Sequence, residues 1–133
     1  MAEMDIDILA RTIWGEARGE GIRGMEAVAS VIMNRVFHRR RWPNTVQGVA
    51  KQRAQFSAWN KNDPNRPRML AVTDDDLQFR QAIEIAQRAV AGILPDQTNG
   101  ADHFHATSIA TPRWARGSKP VARIGRHIFY RLA

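Results

Sequence analysis

The chain has 133 residues, 44% hydrophobic and 25% charged, a balance that excludes a disordered chain and suits one ordinary globular domain. It holds no cysteine, which excludes a disulfide framework, a thiolate metal site and a cysteine nucleophile. Twenty Lys and Arg, nearly all arginine, against thirteen acids give a net charge of +7, so the surface attracts polyanions such as nucleic acid, anionic lipid or an acidic envelope polymer.

The N-terminal residues 1–7 carry acids where a secretory signal carries positive charge, which predicts synthesis in the cytoplasm without a signal peptide. From Asp5 to Ala17 the residues Ile6, Leu9, Ile13 and Trp14, with Ala10 and Ala17, recur at helical spacing, and Gly19 and Gly21 predict its stop. A second helix is predicted over Gly24–Phe37, with Ala27, Val28, Val31, Ile32 and Val36 on its apolar face. It ends in the basic run His38–Arg41 before Pro43. The apolar run 27–33 inside it is too short to cross a bilayer. A helical turn is predicted at Thr45–Ala50, then an ordered loop over residues 51–73 anchored by Phe56, Trp59 and Met69.

Asp74–Asp76 cap a third strong helix, Asp75–Ala91, which Gly92 and Pro95 close. Beyond it, His103–His105 and Arg123–Tyr130 alternate and are β-branched or aromatic, so they read as short strands, with Gly125 as a hairpin turn or a bulge. The predicted class is α+β and mainly α: helices first, then a small antiparallel β element near the C-terminus.

The stretch Trp14-Gly15-Glu16-Ala17-Arg18-Gly19-Glu20 places a carboxylate at the end of an apolar helix beside an irregular glycine loop. A Glu partly desolvated at a cleft edge keeps its proton to higher pH and can act as a general acid, as glycosidic bond cleavage requires. The alternative is that Glu16 and Glu20 are surface acids paired with Arg18 and Arg23. His103 and His105 share a strand face, as metal ligands can, but no clear third ligand follows, so no metal or other cofactor is assigned. They are expected to flank a groove or to bond the backbone.

The blocks Ile13–Glu20 and Gly24–Val36, then Trp42–Val46 with Gly48-Val49, then residues 55–60 (Gln-Phe-Ser-Ala-Trp-Asn) and Ile124–Tyr130, occur in an order that resembles the SleB-like cell-wall hydrolase family. The resemblance runs from Leu9 to Arg131. It implies a lysozyme-like single catalytic domain over residues 1–133, without a separate wall-binding domain, and lytic transglycosylase activity on peptidoglycan glycan strands. The family's catalytic glutamate maps to Glu16, which would protonate the oxygen between N-acetylmuramic acid (MurNAc) and N-acetylglucosamine (GlcNAc), then accept the MurNAc C6 hydroxyl proton as a 1,6-anhydro ring closes. Glu20 is given an electrostatic role, with direct chemistry as the lesser reading.

Gln55, Phe56 and Ser57 would line the sugar cleft, with Phe56 or Trp59 as an apolar platform and loop anchoring as the alternative. His105 and His127 match family positions. Tyr130 would bond sugar, orient Glu16, or pack in the core. A hydrolytic muramidase acting on the same bond stays open beside the transglycosylase. A nucleic-acid-binding module stays open as a different class, carried by Arg35, Arg39, Arg40 and Arg41 and by the tail from Arg113 to Arg126. The favoured use of those charges is to hold a monomeric, phage-type endolysin on an anionic envelope after release through a membrane pore such as a holin, with no specific nucleic acid bound.

Overall fold

A computed structural model describes residues 2–38, 40–52 and 56–133. Helix α1 (Ala2–Ala17) buries Leu9, Ala10, Ile13, Trp14 and Ala17, as an apolar stripe at three- and four-residue spacing requires. That stripe meets α2 (Gly21–Phe37) and α5 (Leu77–Val90), which bury Ala27, Val28, Val31 and Ile32 and Phe79, Ala82, Ile85 and Ala86. α1 stops at Ala17, as Gly19 and Gly21 predict, and the correction concerns the start of the second helix. One 3-10 turn (Arg18–Glu20) follows α1, and Gly21, at φ +76°, turns the chain directly into α2, three residues before the predicted start.

Two caps fix the later helices. The Thr45 hydroxyl accepts from the Gly48 amide at 3.0 Å to start α3 (Val46–Ala50). Asp76 accepts from the Phe79 amide at 2.8 Å to start α5, and the same oxygen takes the Trp14 indole N–H at 3.2 Å. One carboxylate therefore caps α5 and ties it to the end of α1.

The predicted loop 51–73 is corrected as well: it holds a 3-10 turn (Ser57–Trp59) and a helix, α4 (Asn65–Ala71). Only Met69 of α4 is buried, so the sequence shows no stripe. Pro67 is tolerated because amides in a first turn have no carbonyl to reach. Helix α1 straps this segment down. The Arg11 guanidinium donates to the carbonyls of Met69 (2.8 Å) and Val72 (3.0 Å) at the C-terminal end of α4. Arg18 lies 4.2 Å over the Trp14 ring and donates to Asn65 at 3.0 Å, and the Trp59 indole donates to the Thr12 hydroxyl at 2.8 Å.

The C-terminal third forms an antiparallel sheet in the order β1 (His103–Ala106), β3 (His127–Tyr130), β2 (Ala122–Ile124). β2 and β3 are joined by a two-residue turn whose first residue, Gly125, has φ +57°, the left-handed position that such a hairpin demands. Phe104 faces Phe129 and Ala106 faces His127 in register, so these four share one face of the pleat. Phe129 and Ile124 pack there on Ala27 and Val31 of α2. The opposite face carries His103, His105, Ile128 and Tyr130. The architecture is mainly helical with a small sheet near the C-terminus, as predicted.

Candidate active site

Glu16 lies on the last turn of α1, where the helix passes between the strapped 56–72 segment and the sheet. It is half-buried. Burial is the main reason its carboxyl is pushed up to about 7, and the negative charge of Asp63 pushes in the same direction. The Ser57 backbone amide, bonding the carboxylate, pulls the other way. A carboxyl so placed keeps its proton up to about neutral pH, and a hydrogen bond stands ready for the anion it becomes after giving that proton away.

Glu16 opens into a cavity of about 570 Å³ lined by Arg35, Phe56, Ser57, His103, Phe104 and Trp114 among others. Glu16 is the sole carboxylate among the described residues of that lining. A second cavity, of about 270 Å³, is walled by Glu16, Glu20, Ser108 and Arg126 and shares Ala106 and His127 with the first. The two form a groove with Glu16 at its middle, the shape that an extended polymer needs and a small metabolite does not.

Glu20 stands at the far end of the groove. Its carboxylate accepts from the Arg126 amide at 2.6 Å and from the Arg126 guanidinium, Nε at 2.8 Å and the nearer terminal nitrogen at 2.6 Å. The backbone bond first and the side-chain bond second hold its pKa below the ordinary carboxylate value. Glu20 is therefore an ionised clasp between the α1–α2 junction and the β-hairpin. The sequence alternative of pairing with Arg18 and Arg23 is corrected: Arg18 goes to Trp14 and Asn65, and Arg23 donates to Gln97 at 3.1 Å.

Phe56 and Ser57 lie on the groove wall, as does His127, which borders both cavities. Burial lowers the His127 pKa, keeping the ring neutral, and its Nδ1 is buried without a hydrogen-bond partner among the described residues. Gln55 lies outside the described residues. Trp59, His105 and Tyr130 lie off both cavity walls. Trp59 is turned onto Thr12, with the Lys51 ammonium 4.9 Å from its ring. His105 and Tyr130 are buried on the opposite face of the pleat, rings stacked at 5.5 Å. There the His105 Nε2 meets the Tyr130 hydroxyl at 3.0 Å and its Nδ1 meets the Ala106 carbonyl at 2.9 Å. Their polar atoms are spent on each other and on the backbone, which matches the core-packing alternative for Tyr130 and the backbone-bonding alternative for His105.

Sequence reasoning missed three members of the site. Trp114, 40% exposed, leans over the groove edge with its ring 5.0 Å from that of His103, the kind of flat apolar surface that sugars pack on. Arg35, counted only as part of a basic cluster, is buried between the rings of Trp42 and Phe56, each 5.4 Å from its guanidinium carbon, and donates to the Asp102 carbonyl at 2.7 Å. Asp63 sits in the segment read as loop. A tryptophan inside the polar stretch 107–121 was the one available signal.

A family model described as Cell Wall Hydrolase matches residues 19–130, beginning three residues beyond Glu16. The spore cortex-lytic enzyme of Bacillus subtilis is 34% identical over 127 residues, 94% of this chain and 37% of that protein. Its counterpart in Bacillus cereus is 32% identical over 130 residues, 96% of this chain and 44% of that protein. The chain thus spans less than half the length of these curated relatives. The crystal structure of the catalytic domain of the Bacillus cereus SleB protein superposes with a TM-score of 0.77 at 31% identity, covering 97% of this chain and 91% of that one. The catalytic domain of the germination-specific lytic transglycosylase SleB from Bacillus anthracis gives 0.74 at 31% identity, covering 96% and 93%. The fold is that of these lysozyme-like catalytic domains.

Proposed function

Because the chain belongs to the cell wall hydrolase family, we propose that it is a peptidoglycan glycosidase of the lytic transglycosylase type, with Glu16 as its acid and base. The observation that carries this reading is a single carboxyl, covered enough to raise its pKa, on the wall shared by two adjoining cavities. An inverting or retaining hydrolase works with two carboxyl groups across the scissile bond. Here both carboxylate oxygens of the other glutamate at the groove are taken up by the Arg126 amide and guanidinium.

In this mechanism Glu16 gives its proton to the oxygen joining MurNAc C1 to GlcNAc O4, and the C1–O4 bond breaks as positive charge develops on the sugar ring. The new carboxylate, steadied by the Ser57 amide, takes the proton of the MurNAc C6 hydroxyl while that oxygen bonds to C1. The product is a 1,6-anhydro ring, no water is consumed, and Glu16 ends protonated as it began. Phe56 and Trp114 supply the apolar surfaces for the sugars, and His127, neutral and in the groove, supplies a polar contact at its centre.

The biological setting we infer is lysis of the phage-endolysin type, with the protein made in the cytoplasm, released through a pore and held on the anionic envelope by its arginines as a monomer. The net charge of +7 supports the last of these steps. Digestion of purified sacculi tests the chemistry. The expected fragments are lighter by one water than those of a hydrolytic muramidase. Fragments of hydrolysed mass would convert the assignment to that enzyme, and intact sacculi would end it.

A further inference from the structure

On the other side of Trp42 from the groove is a separate cavity of about 270 Å³, lined by Asn34, Phe37, His38, Trp42, Asp102 and Arg131 among others. The partition is thin. Trp42 lies 6.0 Å from His103 of the groove, ring to ring, and the Arg35 guanidinium of the groove packs 5.4 Å from the Trp42 ring. Asp102 on one side and His103 on the other are joined by a 2.8 Å hydrogen bond. We propose that this cavity seats the short acidic peptide that a peptidoglycan strand carries on its muramic acid, while the glycan itself lies in the groove. The proposal rests on the glycosidase reading above.

The chemistry of the lining selects that ligand. Arg131 is exposed and forms no hydrogen bond or ion pair among the described residues, so its guanidinium is available to a carboxylate. Arg41 adds positive charge from above Trp42, at 5.1 Å from the ring. The Asp102 charge opposes them but is already met by the amides of Leu132 and Ala133 and by His103. Asn34 spends its amide protons on Asp96 and the Ala101 carbonyl, which leaves its side-chain oxygen to accept a peptide N–H. Phe37, 68% exposed beside this polar set, offers apolar surface that a phosphate polymer has no use for.

The test compares sacculi with the same sacculi stripped of peptide by an amidase, using wild type, Arg131→Ala and Phe37→Ala. Both replaced side chains are exposed, so folding is retained. Wild type is expected to show a KM about tenfold lower on peptide-bearing strands, the worth of one charge-assisted hydrogen bond. Arg131→Ala is expected to lose most of that preference and Phe37→Ala a smaller part, and both to keep the wild-type rate on bare strands. Equal cleavage of both substrates by wild type, or equal weakening of Arg131→Ala on both, would overturn the proposal. So would competition by soluble polyphosphate through Arg131 as strong as that by the free peptide, which would make the cavity a general anion site. Cleavage of neither strand by folded wild type removes the glycosidase reading, and the proposal with it.

Discussion

Glu16 and Glu20 are four residues apart at the end of one helix, and the chain gives them opposite fates. Around Glu16 the 56–72 segment closes with aromatic rings and a second negative charge, so the proton stays to about pH 7. Around Glu20 the hairpin turn brings an amide and a guanidinium, so the proton is lost early. Residue type is shared, Glu16 on the last turn of α1 and Glu20 in the 3-10 turn after it; what differs most is which distant segment packs on each. A carboxyl becomes an acid catalyst here through what covers it.

Glu16→Gln is expected to lower the rate of sacculus digestion by about a thousandfold, the scale of a lost general acid. The same variant reports on stability. Folding raises the Glu16 pKa above its ordinary 4.5, so wild type is penalised as pH climbs from there through about 7, by on the order of 3 kcal/mol at full ionisation. Melting at pH 8 should therefore rise by several degrees in Glu16→Gln and at pH 4 change little. An equal rise at both pH values would mean the acid is not buried as described.

Wild-type activity is expected to hold below about pH 7 and fall above it, because the protonated form does the work. Asp63→Asn should slide that alkaline limb to lower pH. Burial outranks Asp63 as a cause, so the slide should be less than half the way back, with a loss of about threefold at pH 7.5. The smallest rate effect belongs to Glu20→Gln, expected within about twofold of wild type, with melting showing about 1–2 kcal/mol lost at pH 7. Its depressed pKa makes that contribution present above the ordinary carboxylate range and lost as pH falls through the folded value, so the two proteins should converge in acid. A rate loss rivalling that of Glu16→Gln would erase the distinction between the two residues.

What the sequence made readable follows from periodicity. α1, α2 and α5 each bury a stripe, and Glu16 lies at the end of the first. α4 was unreadable because a seven-residue helix burying one methionine has no period, and it is Arg11 and Arg18 of another helix that hold it. Asp63 and its charge were hidden with it. The packing of Tyr130 was readable in part. His127 and Tyr130 are an odd number of residues apart in one strand, so they point to opposite faces of the sheet, and Tyr130 falls on the face where His105 meets its hydroxyl. The partner of Glu20 was not readable, since nothing local marks Arg126, 106 residues away, as its clasp.

That separation has a consequence for how the protein is made. The acid closes the first helix, whereas the sheet that walls the groove begins at His103 and the turn that latches it holds Arg126, both far along the chain. A half-translated chain carries Glu16 in open water, where its proton dissociates near 4.5 as from any free glutamate. Glu16 therefore takes on its raised pKa only once those distant segments have packed around it.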